Sequence, residues 1–203
     1  MPRRARVLLP GHPHHLTQRC HNRQPCFFQR SDYIVYLDFL REHSSLYGGA
    51  IHAYVLMTNH VHLLVTMDDV TMLAPLMKGV AQNYAQYINR RLKRTGSLWE
   101  DRFHSSPIID DAYLLTCLRY VELNPVRATI VDSPARYRWS SYAGNAGLAA
   151  DNLLTPHTTY LGLGSDPAPR FASYRNLFSE PLNPVHLQAI RSAAAGNRRI
   201  DPA

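Results

Sequence analysis

The sequence predicts an α+β fold: a ferredoxin-like antiparallel sheet with helices, followed by an irregular C-terminal extension. Three observations lead there. Two apolar, strand-like runs, 51–57 and 60–67, are separated only by Thr58-Asn59 and read as a hairpin. Stretches with helical spacing of apolar residues lead into and out of that hairpin. One strand precedes this unit, and a short strand and a helix follow it, giving the order β, α, β, β, α, β, α of the split βαβ pattern.

Each element has a local reason. Residues 14–21 read as a first strand, interrupted by Pro25. Ser31 suits the N-cap of a helix running to about Tyr47, with Ile34, Leu37, Leu40 and Leu46 near helical spacing and Gly48-Gly49 as the stop. Asn59 tolerates the backbone angles of a tight hairpin turn. Asp68-Asp69 cap a long helix in which Val70, Leu73, Met77, Val80, Ala81, Tyr84, Ile88 and Leu92 form the apolar stripe. Lys78, Gln82, Asn83, Gln86, Arg90 and Arg94 occupy its opposite face, and Thr95-Gly96 end it. Residues 105–109 read as a short fourth strand. Asp110-Asp111 open a helix from 112 to about 124, which Pro125 ends. Beyond residue 140 the composition turns to Gly, Pro, Ala and Ser, predicting a looser stretch with one short helix near 185–195. The expected organisation is a catalytic domain with a basic N-terminal arm over 1–150 and an extension over 151–203.

The 203 residues, 45% of them apolar, suffice for a real core. No apolar run approaches the ~18 residues that span a bilayer. The apolar run after the first arginines is too short for a signal peptide, so a cytoplasmic protein without membrane partners is expected. Cys20, Cys26 and Cys117 have no CxxC spacing, which argues against a disulfide framework or a zinc knuckle. The net charge of +7 is arranged in acid-free blocks. One, before Asp32, holds Arg3, Arg4, Arg6, Arg19, Arg23 and Arg30. The other, between Asp69 and Glu100, holds Lys78, Arg90, Arg91, Lys93 and Arg94. With Tyr84, Tyr87 and Trp99 interleaved, they point to nucleic acid, Arg forks on phosphates and rings on unpaired bases. Arg19, Arg90 and Arg94 are candidate contacts.

The chemistry-bearing residues are few. His60 and His62, two apart on a strand, share a face and can reach one metal ion. In the helix from 112, Leu114, Cys117, Leu118 and Val121 make the core stripe, while Tyr120 and Asn124 lie one turn apart at its edge. Glu122 falls on the opposite flank. Two imidazoles and a carboxamide suit a divalent cation with open positions. A phenol beside it could attack a phosphodiester. Tyr113 lies two turns earlier on the same flank as Tyr120, and periodicity does not choose between them. The rival readings are a non-catalytic DNA- or RNA-hairpin-binding protein, a core His pair, and a zinc hydrolase, for which a further His or carboxylate ligand is missing. His12, His14 and His15 look like a metal tract but, beside two prolines, read as loop residues.

Five blocks in order carry a resemblance: Arg-Arg-Ala-Arg with Thr17-Gln-Arg19; Tyr54-Val-Leu-Met-Thr-Asn-His-Val-His-Leu-Leu-Val65; Gly96-Ser-Leu-Trp-Glu-Asp-Arg-Phe103; Tyr120-Val-Glu-Leu-Asn-Pro-Val-Arg-Ala128; and Tyr137-Arg-Trp-Ser-Ser-Tyr142. Over about residues 1–180 the chain resembles the REP-associated tyrosine transposases, single-tyrosine HUH transposases of insertion sequences, in which U is a hydrophobic residue. The resemblance implies that His60 and His62 are the metal-binding pair, Asn124 the third ligand and Tyr120, rather than Tyr113, the nucleophile. It implies cleavage of single-stranded DNA beside foldback repeats through a 5′-phosphotyrosine intermediate, with Mg²⁺ or Mn²⁺ as cofactor. It also makes Arg3, Arg4 and Arg6 of the basic arm candidates for reading the DNA. Thr58 stands where the family usually has Pro, a change that touches the turn more than the chemistry. The expected state is a monomer or a homodimer.

Overall fold

The computed structural model describes residues 6–200. Four strands, β1 (His14–Arg19), β2 (Gly49–Met57), β3 (His60–Met67) and β4 (His104–Pro107), form one sheet in the order β2-β3-β1-β4. All neighbouring pairs are antiparallel. Helices α1 (Arg30–Tyr47) and α2 (Leu73–Arg91) cover one face, burying Tyr36, Leu40, Leu76 and Val80 against Leu16, Leu56, Leu63 and Val65. Helix α3 (Asp111–Glu122) covers the other, packing Leu114, Cys117 and Val121 near Ala53, Val55 and Leu64. Covering both faces explains why β2 and β3 are apolar on both sides instead of alternating.

Several boundaries differ from the sequence reading. β1 stops at Arg19 rather than residue 21. Cys20 makes only an isolated bridge to Trp99, and Asn22 and Arg23 turn the chain with φ of 51° and 56°. The N-cap of α1 is Gln29, not Ser31. The Asp32 carboxylate there accepts from the backbone N–H groups of Phe28 (2.8 Å) and Gln29 (3.0 Å), the reciprocal capping arrangement. Asp32 is fully buried and also binds Arg91 Nη2 at 2.9 Å, tying α1 to α2. The hairpin turn uses no left-handed residue at Thr58 or Asn59. Instead it is pinned by the β1–α1 connection, whose Cys26 and Cys20 N–H groups donate to the carbonyls of Thr58 and Asn59, both at 2.9 Å. Pro125 does not end the third helix. That helix stops at Glu122, and Asn124 opens a separate turn, α4 (Asn124–Arg127), with proline in its first turn, where its missing N–H costs nothing.

The stretch after residue 140 carries more structure than its composition suggested: α5 (Tyr142–Asn145), α6 (Thr158–Leu161), α7 (Pro167–Asn176) and α8 (Pro184–Gly196). Glu122 anchors it. Ser141 Oγ (2.6 Å) and Asn145 Nδ2 (2.9 Å) donate to its Oε1, and Tyr174 OH donates to Oε2 at 2.7 Å. Helix α8 reaches back to β4, and Ile200 N donates to Pro107 O at 3.0 Å. Among the described residues no helix is long and apolar enough to cross a membrane.

Candidate active site

The register of the sheet builds the site. His60 stands opposite Arg19, and His62 opposite Thr17, which in turn faces His104 on β4. Directly opposed residues share a face, so these side chains look toward α3. Asp110 caps α3, its Oδ1 accepting from Tyr113 N at 2.8 Å, and Tyr120 follows on the last turn. The Tyr120 ring, 6% exposed, meets the His62 ring edge to face at 5.8 Å and 82°. Its own carrier helix therefore brings it to the imidazole pair within a single chain.

A cavity of about 550 Å³ opens there, lined by His60, His62, Tyr120 and Asn124 together. Tyr113 does not line it. Its ring packs on His186 and its hydroxyl donates to the His186 carbonyl at 3.3 Å. The cavity is also lined by Arg19, Arg127, His104, Arg102, Glu100, Asp101 and, from α8, Arg191.

Each imidazole of the pair is held by one nitrogen. Asn59 Nδ2 donates to Arg23 O (2.9 Å), which turns Asn59 Oδ1 toward His60 Nδ1 at 2.7 Å. His60 Nδ1 must then carry the proton, leaving Nε2 as a lone pair. His62 Nδ1 lies 2.9 Å from His15 Nε2. Burial, and after it Arg19, pushes His60 down to about 4. Burial, then His15 and His60, takes His62 well below its ordinary value. Both rings are neutral at pH 7, the form that ligates metal. Among the described residues no three His, Cys, Asp or Glu side chains form a metal-holding group. The available donors are two imidazoles and the Asn124 carboxamide, which suit a hard divalent cation that keeps positions open for phosphate oxygens.

The other expected residues fall into three sets. Arg6 lies beside a second cavity that shares Asp101, Arg102, His104 and Ala195 with the first. Its Nε donates to Phe103 O at 3.0 Å, and its guanidinium lies 3.7 Å over the Phe103 ring. Arg90 and Arg94 sit at and beyond the end of α2 and do not line the cavity; Arg94 Nη2 donates to Ser97 O at 3.2 Å. Arg3 and Arg4 lie outside the described residues.

Of the two sequence readings of the histidines, the strand over 14–21 holds for His14 and His15 and the loop reading holds for His12 alone. His14 and His15 belong to β1 and are buried; only His12 lies before the strand. His14 is fully used: Leu9 N donates to its Nε2 (3.2 Å), so Nδ1 donates to His12 O at 2.8 Å. His15, His104, Arg127 and Arg191 were missed as cavity neighbours. His15, Thr17 and Arg19 alternate along a strand, which placed them on one face. What the sequence lacked was the pairing of β1 between β3 and β4.

The sequence model of the family described as "Transposase IS200 like" matches residues 10–124, more than half of the chain. The chain belongs to that family. The match runs from the turn before β1 to Asn124, so this transposase carries His60, His62, Tyr120 and Asn124 inside the shared region, and Arg127 and Arg191 outside it. No curated protein matches it. A solved structure of a REP-associated tyrosine transposase bound to a REP hairpin matches with a TM-score of 0.64 and 15% identity, over 78% of this chain and 93% of that one. A Deinococcus radiodurans R1 transposase matches with a TM-score of 0.42 and 20% identity, over 60% of this chain and 96% of that one. The first likeness establishes a common fold.

Proposed function

We propose that this IS200-like transposase nicks and rejoins single-stranded DNA beside foldback, REP-type repeats through a 5′-phosphotyrosine bond to Tyr120. The observation that carries the reading is the edge-to-face contact of Tyr120 with His62 in a cavity that also takes His60 and Asn124. His60 Nε2, His62 Nε2 and the Asn124 carboxamide oxygen are the donors for Mg²⁺ or Mn²⁺. A cation bound there would polarise a non-bridging phosphate oxygen and offset the charge that builds on phosphorus.

The chain's own groups do the rest. The Tyr120 oxygen bonds to phosphorus as the bond to the 3′ oxygen breaks. The phenol gives up its proton, and the departing 3′ oxygen takes one up to become a free hydroxyl. The linkage energy stays in the phosphotyrosine, and reversal by a different 3′-OH joins strands. Arg127, close to the Tyr120 ring, and Arg19 are placed to neutralise the phosphate. The hairpin of the relative described above as REP-bound supports a foldback DNA partner here as well.

The test is incubation with a labelled foldback DNA carrying a single-stranded flank, in Mn²⁺, followed by mass-spectrometric mapping of any covalent adduct. The adduct is expected on Tyr120 and is expected to disappear in Tyr120→Phe while hairpin binding stays within a few-fold. An adduct on Tyr113, or hairpin binding with no adduct at all, overturns the reading; the second outcome would leave a hairpin-binding protein on the same fold.

A further inference from the structure

We infer that His15 is a positioning residue: it holds His62 in the tautomer that presents Nε2 to the cation. The inference rests on the metal site proposed above. His15 is on β1, diagonal to His62 across the β1–β3 pairing, and is 1% exposed. The two ring planes differ by 7° and their centroids are 5.1 Å apart. With the nitrogens at 2.9 Å, the rings therefore lie nearly coplanar and edge to edge, the geometry of an in-plane N–H···N hydrogen bond rather than of face-to-face stacking.

Two neutral rings joined this way share a single proton between them, which allows two arrangements. If His15 Nε2 donates, His62 must carry its own proton on Nε2, which then points a hydrogen where a ligand lone pair is needed. If His62 Nδ1 donates, Nε2 is a lone pair and can ligate. Ligation selects the second arrangement, and only an acceptor at the His15 position permits it. Metal-bound histidines commonly use a carboxylate or backbone carbonyl for this purpose. Here the two ligands differ: His60 uses the Asn59 carboxamide, and His62 uses another imidazole. The cost is visible. His15 Nδ1 is buried without a hydrogen-bond partner, an expense that packing alone does not require.

The experiment uses the full chain with Mn²⁺ alone as probe, read by the loss of the free-ion electron paramagnetic resonance signal. Wild type is compared with His15→Phe, which fills the space without an acceptor, and His15→Gln, whose amide oxygen can accept from His62 Nδ1. Mn²⁺ affinity is expected to fall about 10–100-fold in His15→Phe and to stay within a few-fold of wild type in His15→Gln. Independently of any variant, nitrogen NMR of the Mg²⁺-loaded wild type is expected to place the His62 proton on Nδ1, with coupling across the bond to His15 Nε2. Equal Mn²⁺ affinity in His15→Phe, or a His62 proton on Nε2 in the loaded protein, overturns the inference. A wild type that binds no Mn²⁺ defeats the metal reading instead, and the NMR assignment of the metal-free pair then shows whether His62 still donates to His15.

Discussion

The guanidinium carbon of Arg127 lies 4.2 Å from the centroid of the Tyr120 ring. Residues seven apart stand about two turns from each other along one helical face, and helical side chains lean back toward the N-terminus. With Leu123 helical at the junction, Arg127 on α4 reaches back over the phenol on α3 while Asn124 stays on the cavity wall. Arg127 Nη1 is buried and has no hydrogen-bond partner in the protein. A buried donor without a partner costs stability, and a phosphate oxygen in the cavity would complete it.

Arg127→Met is therefore expected to lower the rate of adduct formation by about 10²–10³-fold, the range seen when one preorganised donor to developing negative charge is lost. Hairpin affinity should stay within a few-fold, and thermal stability should change little, because Arg127 Nη1 has no hydrogen bond to lose. Single-turnover kinetics on the labelled foldback DNA measures the first, and a melting curve the last. A variant as fast as wild type removes Arg127 from the chemistry.

Asp32 carries an equally specific expectation on stability. Its carboxylate is fully buried, caps α1 through two backbone N–H groups and accepts from Arg91 and from the Tyr87 hydroxyl at 3.1 Å. Asp32→Ala removes the cap and leaves Arg91 without its partner. A loss of about 3–5 kcal/mol is expected, as for other broken buried pairs, read from urea unfolding. A loss below about 1 kcal/mol would mean that water or another side chain satisfies these donors as well.

The sheet was legible because its signals are local and repeated. Two apolar runs flanking a two-residue gap can hardly avoid pairing, and the stripe from Val70 to Ile88 has one period throughout. His60 and His62 were legible for the same reason, since alternation along β3 fixes their common face. The misreadings share one cause: a partner distant in sequence decides the outcome. Glu122 looked like a flank residue, yet Ser141, Asn145 and Tyr174, 19 to 52 positions away, turn it into the anchor of the C-terminal helices. His15 falls in the run that reads as the first strand, but its contact with His62 follows only from the place of β1 between β3 and β4. Arg91 belonged to a basic block that read as a polyanion surface, but it is committed to Asp32.

Glu122 makes stability depend on pH with an identifiable sign. Burial pushes its carboxyl from the usual 4.5 up to about 7, against the lowering effect of its Ser141, Tyr174 and Asn145 hydrogen bonds. Between those two values the folded chain holds a proton that the unfolded chain has released, so this group's contribution falls as pH rises through the window and levels off above it. The span corresponds to about 3 kcal/mol. The buried histidines act oppositely: His15 and His60, pushed down to about 4, favour the folded state as pH rises toward 6.5. Comparison with Glu122→Gln isolates the carboxyl, since the amide oxygen can replace Oε1. Relative to that variant, wild type is expected to lose stability steadily from pH 4.5 to 7. A difference that does not change with pH would mean that the carboxyl is ionised in the fold at all these values.

A single strand on the proposed path would meet a further arginine beyond Tyr120. Arg6 is fixed by Phe103, its Nε committed to the carbonyl and its guanidinium stacked on the ring, so its terminal nitrogens are held beside the second cavity. That cavity adjoins the first through Asp101, Arg102 and His104. A strand entering at His60 and leaving past Arg102 would pass Arg6. Each phosphate neutralised by an arginine releases condensed counterion, so the logarithm of affinity falls with the logarithm of salt by about 0.7–0.9 per contact. Arg6→Gln is expected to weaken binding of the foldback DNA and to flatten that slope by roughly one contact. Arg90→Gln, on a helix end away from both cavities, tests whether α2 also touches the DNA: a flattened slope there would extend the path around the end of that helix. If Arg6→Gln leaves the slope unchanged, the strand does not pass this side of β4, and Arg6 serves to hold Phe103 in place.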